Sequence, residues 1–150
     1  MSLTERIDSD YVQAYKAKDA LRLSVLRMVK TAVKNRLVDL RRPGGTLDDS
    51  EMLDVFIKEA KQRQDSIEQY TSAGRPDLAA READELAILR DYLPKALSPE
   101  ELAAAIDAAV AELGATGPRD MGRVISAVMG ACKGRADGKE VAAAVKRRLS

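Results

Sequence analysis

Apolar residues in this chain recur at intervals of three and four, and proline and glycine cut the resulting stretches apart. This pattern confines the fold more than any other feature, because it draws a stripe along a helix and not along a strand. Leu3, Ile7, Tyr11, Ala14 and Tyr15 form the first stripe, in a helix predicted to start after Thr4. The Thr4 hydroxyl would cap it, with Glu5 and Asp8 in the first turn. Asp19 suits an N-cap for a second helix, whose apolar side is Leu21, Val25, Met28, Val29, Ala32 and Val33. Arg41-Arg42-Pro43-Gly44-Gly45 ends it, and Thr46 to Asp49 restart the chain as a third helix. The inner face predicted for that helix is Leu53, Phe56, Ile57, Ala60, Gln64, Ile67 and Tyr70.

Gly74 and Pro76 are a stop and a start close together, and Leu78, Ala79, Leu86, Leu89 and Leu93 carry a fourth helix to Tyr92-Leu93-Pro94. There the composition turns alanine-rich. The expected division is therefore an N-terminal four-helix domain over residues 1–94 and a smaller three-helix domain over 95–150. Ser98-Pro99-Glu100-Glu101 has cap, first-turn proline and reciprocal glutamate in capping-box order, opening a helix through Leu102, Ile106, Val110 and Leu113. Gly114 stops it. Gly117 to Asp120 start the sixth helix, with Met121, Val124, Ile125, Val128 and Met129 turned inward. Gly134 ends that one, Asp137 caps the last, and Val141, Val145 and Leu149 anchor it. The fold class predicted is all-α.

Composition closes off most chemistry. With no histidine and one cysteine, Cys132, the common zinc, haem and iron-sulfur ligand sets are absent, as are Ser-His-Asp and Cys-His centres. No catalytic residue, metal ligand or cofactor is assigned. No apolar run reaches the roughly 20 residues that cross a bilayer, and the N-terminus lacks a signal-peptide layout, so no membrane association and a cytoplasmic location are expected.

Charge is placed unevenly although the net is +1. Residues 119–150 carry eight basic and three acidic groups, and Asp19 to Arg42 form a second basic segment. Arg123, Lys133, Arg135, Lys139, Lys146 and Arg147, with Arg148 beside them, are candidates to neutralise phosphates, and they equally suit a solvated face. Gly122, Gly134 and Gly138 either let a phosphate or ribose approach the main chain or serve packing and caps. Glu59, Glu68, Glu82 and Glu85 read as ion-pair partners of Arg63, Arg75 and Arg81. Tyr70 and Tyr92 read as residues packed between helices with a wet hydroxyl, and Met121, Met129 and Cys132 as core.

The series Arg63, Ser66, Ile67, Tyr70, Ala73-Gly74-Arg75, Asp77-Leu78-Ala79, Glu82, Glu85, Leu89, Tyr92-Leu93-Pro94, Leu97-Ser98, Asp120-Met121-Gly122 and Lys133 to Gly138 with Val141 resembles the YqeY family, also called the GatB/YqeY-domain family. The resemblance implies an all-helical fold whose smaller domain is similar to the tail of the tRNA-dependent amidotransferase B subunit. It further implies a tRNA-binding accessory role, by shape and backbone charge, with tRNA or a tRNA-bound aminoacylation or amidation enzyme as partner. Two alternatives stand beside it: a carbon-nitrogen ligase activity with glutamine as amido-N-donor, and a protein-interaction module without RNA. The ATP site and amidase centre of the amidotransferase have no counterpart in these residues, and no Walker-type glycine loop is present.

Overall fold

The computed structural model describes residues 1–150 as seven α-helices and no strand, in two compact units, Met1–Leu93 and Pro94–Ser150. The first holds α1 (Leu3–Ala17), α2 (Ala20–Asp39), α3 (Asp49–Ser72) and α4 (Pro76–Arg90). The second holds α5 (Pro99–Leu113), α6 (Met121–Ala131) and α7 (Gly138–Leu149), with a short 3-10 turn, Pro118–Asp120, leading into α6. No helix is long and apolar enough to cross a membrane.

In the first unit α1 starts two residues earlier than the Thr4 cap predicted. Ser2 is the cap: its hydroxyl accepts from the Glu5 N–H at 3.1 Å, and its own N–H donates to the Glu5 carboxylate at 2.9 Å. Glu5 stands three residues after Ser2, where a reciprocal glutamate is needed, and nothing answers Thr4 in that way. The Thr4 hydroxyl donates instead to the Leu47 carbonyl at 3.4 Å, and the Leu3 N–H donates to Asp49 Oδ1 at 2.9 Å, so the starts of α1 and α3 are tied together. Asp19 caps α2 through the Arg22 N–H, as its position implied.

The core of this unit is Ile7, Ala14, Val25, Leu26, Val29, Leu37, Leu47, Met52, Val55, Phe56, Ile88, Leu89 and Tyr92. Two stripes differ from expectation. Tyr15 is 65% exposed, because the α1 contact narrows to the side of Ile7 and Ala14. On α3 the buried face is Met52, Val55, Phe56 and Arg63: of the predicted face Phe56 is fully buried, whereas Leu53, Ile57, Ala60, Gln64, Ile67 and Tyr70 are only half-buried, so the face is rotated from the one expected. Both series have helical spacing; the one that wins carries a charged residue inward. Tyr92 stacks on Phe56 with ring centroids 4.9 Å apart, under the Arg6 guanidinium at 4.4 Å. Its hydroxyl is not wet: it donates to the Asp10 carboxylate.

The second unit folds round Leu102, Ile106, Ala109 and Val110 of α5, Val124 and Val128 of α6, Cys132, and Val141, Val145 and Leu149 of α7. Met121 and Met129 pack at its edge. The Ser98 capping box forms with both arms, to Glu101 and back. Gly134 takes φ +76°, a left-handed value that L side chains resist, in the turn between α6 and α7. The Leu97 N–H donates to the Arg135 carbonyl at 2.8 Å, which fixes the strand-like entry to α5 against that turn.

Candidate functional site

The nine residues singled out in the second unit lie on α6, on the α6–α7 turn and on α7. Arg123 is on the outer side of α6, one residue before the fully buried Val124, and donates to Asp120 Oδ1 at 2.6 Å. The Thr116 N–H, and after it the Arg123 guanidinium, hold the Asp120 carboxyl below the usual carboxylate range. Arg135 donates from Nε to the Lys95 carbonyl at 2.9 Å, and its Nη2 is 3.5 Å from Glu101. Its side chain thus helps fasten the segment before α5, and its exposed part meets an acid rather than solvent alone.

Lys133 and Lys139 are each engaged within the molecule. Lys139 and Lys146, seven residues apart on α7, share a side of that helix two turns apart, about 10 Å along its axis. Lys146 and Arg147 are exposed and make no ion pair. Arg148 crosses to α5, with Nε 2.9 Å from Asp107 Oδ1. Gly122 is exposed and helical, with open space where a Cβ would stand, and Gly138 would meet only Met129 at an ordinary 3.9 Å. Of the three glycines only Gly134 is required by its backbone angle. The positive segment is therefore not one free cluster. Three of its arginines, Arg123, Arg135 and Arg148, already have partners, and the open charge is Lys146 and Arg147 at the end of α7.

A second constellation, in the first unit, was read from sequence only as surface ion pairs. Arg63 and Glu85 are the two buried charged residues of the protein, 6% and 7% exposed. Arg63 donates from Nε to Glu85 Oε2 at 3.0 Å and from Nη1 to Glu59 at 3.5 Å, and Glu82 lies 3.6 Å from Nε. Its Nη2 is turned to the Met28 sulfur at 3.1 Å. Arg81 reaches Glu85 from outside at 3.9 Å, whereas Arg75 pairs with Asp77. Beside this network is an open cavity of about 600 Å³ between α2, α3 and α4. Arg63, Ser66, Tyr70, Leu78, Glu82 and Glu85 border it, and all six belong to the series that carries the family resemblance. The signal in the sequence was their spacing: 63, 66 and 70 on one helix, 78, 82 and 85 on the next, each set on one side of its helix.

The model of the Yqey-like protein family matches residues 4–149. A protein of Lachancea thermotolerans, "Altered inheritance of mitochondria protein 41, mitochondrial", is 36% identical over 107 residues, 71% of this chain and 55% of that protein. The proteins of the same name are 36% identical over 86 residues in Kluyveromyces lactis (57% of this chain, 45% of that protein) and 30% over 96 in Saccharomyces cerevisiae (64% and 51%). The chain thus spans about half the length of the curated relatives it matches. With the family pattern running across nearly all of both helical units, the chain belongs to the YqeY family.

Proposed function

We propose that this protein is a tRNA-binding accessory protein, which grips the phosphate backbone through the basic side of its C-terminal unit and adds no base-specific contact. The observation that supports the reading is the end of α7, where Lys146 and Arg147 stand exposed with no ion pair, on the helix that also carries Lys139. Arg123 and Arg135 extend the contact only where a phosphate replaces the acid or carbonyl each now meets. Partners are tRNA itself or a tRNA-bound aminoacylation or amidation enzyme. The names of the yeast relatives put those proteins in mitochondria, and the reading applies to a mitochondrial or a cytoplasmic tRNA pool alike.

The test is binding of labelled tRNA across a salt series. Two phosphate contacts, from Lys146 and Arg147, predict a loss of about 7- to 12-fold between roughly 50 and 200 mM salt. Reversing charge at Lys146 and Arg147 together should abolish most of the affinity while leaving helix content unchanged. A flat salt response, or full binding by the reversed variant, overturns the proposal. The chain alone is expected to show no glutaminase or transamidation turnover, and turnover would replace this reading with the amidotransferase one.

A further inference from the structure

We propose that the cavity between α2, α3 and α4 is a binding site for a small organic cation, one bearing an alkylammonium or guanidinium group. At about 600 Å³ it has the size of a small-molecule site. Its charge is lopsided. Arg63 and Arg81 stand against Glu82 and Glu85 on the lining, and Glu59 shares Arg63 from beside it, so that two guanidinium groups face three carboxylates. A half-enclosed place with this excess of carboxylate favours a cation over an anion.

The contacts agree. Arg63 already gives Nε and Nη1 to carboxylates, so an anionic ligand would have to compete with three glutamates for it. The carboxylates are less well served. Glu82 meets Arg63 only at 3.6 Å, and the second oxygen of Glu85 has only Arg81, 3.9 Å away on a side chain that is 72% exposed. Both can accept a further donor, and the rim arginine can swing aside to admit it.

The remaining walls choose the kind of cation. Tyr70 presents a ring, and Met28 and Leu78 present soft apolar surface, which suit the alkyl part of an organic cation and the attraction of a positive charge to an aromatic face. Ser24, Ser66 and Gln62 add hydrogen-bonding groups. A bare metal ion has no such use for these walls, and no group of three or more metal-ligating side chains is gathered here.

Amide shifts of the 150-residue chain in nuclear magnetic resonance, titrated with agmatine and with spermidine, test this directly. Saturable shifts at Ser66, Tyr70 and Glu82 are expected, with Glu82→Gln weakening them about tenfold, as loss of one charge-assisted contact predicts. Glu82 is partly exposed and its one contact is long, so the glutamine variant keeps its fold, and the same spectra verify that. Arg81→Ala should bind several-fold more tightly, because it removes the competitor for Glu85; a merely structural rim residue would not do this. No saturable shift up to about 10 mM with either cation, equal binding by Glu82→Gln, or occupancy of the same residues by glutamate would each overturn the proposal.

Discussion

Replacing Arg63 by methionine keeps most of the side chain's volume and removes its charge from among three carboxylates. The consequence follows from burial. Glu85 is 7% exposed and loses its 3.0 Å partner, keeping only the distant Arg81. Glu59 and Glu82 are nearer the surface and can turn towards water. Removing one member of a buried pair costs about 3–5 kcal/mol, since the partner is left charged and unsolvated. About 4 kcal/mol in a unit the size of residues 1–93 lowers its melting temperature by roughly 15–30 °C. Calorimetry on the whole chain should show this in the transition of the first unit and leave that of the second in place. The double variant Arg63→Met/Glu85→Leu should recover at least half of the loss, because the charge that methionine strands has gone too. A single variant within about 3 °C of wild type, or a double variant no better than the single, would refute this account of the pair.

Two more predictions concern titration and charge. Burial first, then the Asp10 carboxylate that accepts from it, push the Tyr92 phenol above its usual value of 10.0. The folded state therefore holds that proton more tightly: the contribution is intact below about pH 10 and is lost as pH rises towards the folded value, where only the unfolded chain has yet ionised. Tyr92→Phe should cost about 1–2 kcal/mol at neutral pH and make the melting temperature fall less steeply in alkali; parallel pH profiles would count against the Asp10 bond. Asp120→Asn keeps an oxygen for the Thr116 N–H and discharges the partner of Arg123. It should strengthen tRNA binding several-fold at low salt by adding one phosphate contact, and unchanged affinity would remove Arg123 from the interface.

Much of the fold could be read because its signals are local. Ser98 and Glu101, Asp19, Asp137, Gly114 and Gly134 do where they stand what their chemistry implies within three or four residues. The Thr4 error was avoidable on the same terms, since Glu5 is spaced to answer Ser2. The α3 face was not. Two helical stripes interleave on that helix, and the inner one contains Arg63, which any apolar pattern sets aside. The carboxylates of α4, Glu82 and Glu85, join Glu59 in making that arginine an interior residue, and they lie 19 and 22 positions further on.

The same distinction separates charge that can be counted from charge that can act. Residues 119–150 carry a strong positive excess in sequence, yet the Arg123–Asp120 pair was visible as a three-residue spacing, whereas the Lys95 carbonyl that occupies Arg135 comes from 40 residues away. What survives for a polyanion is the end of α7, where no acid of α5 reaches Lys146 or Arg147 and Arg148 alone is drawn across to Asp107. In the first unit the discount runs the other way. Residues that resemble an ordinary solvated helix surface become, once α3 and α4 face each other, the border of an open cavity over a buried pair. A helical surface charge thus acquires a role only from the helix opposite it, which is why the two candidate sites exchange strength between sequence and structure.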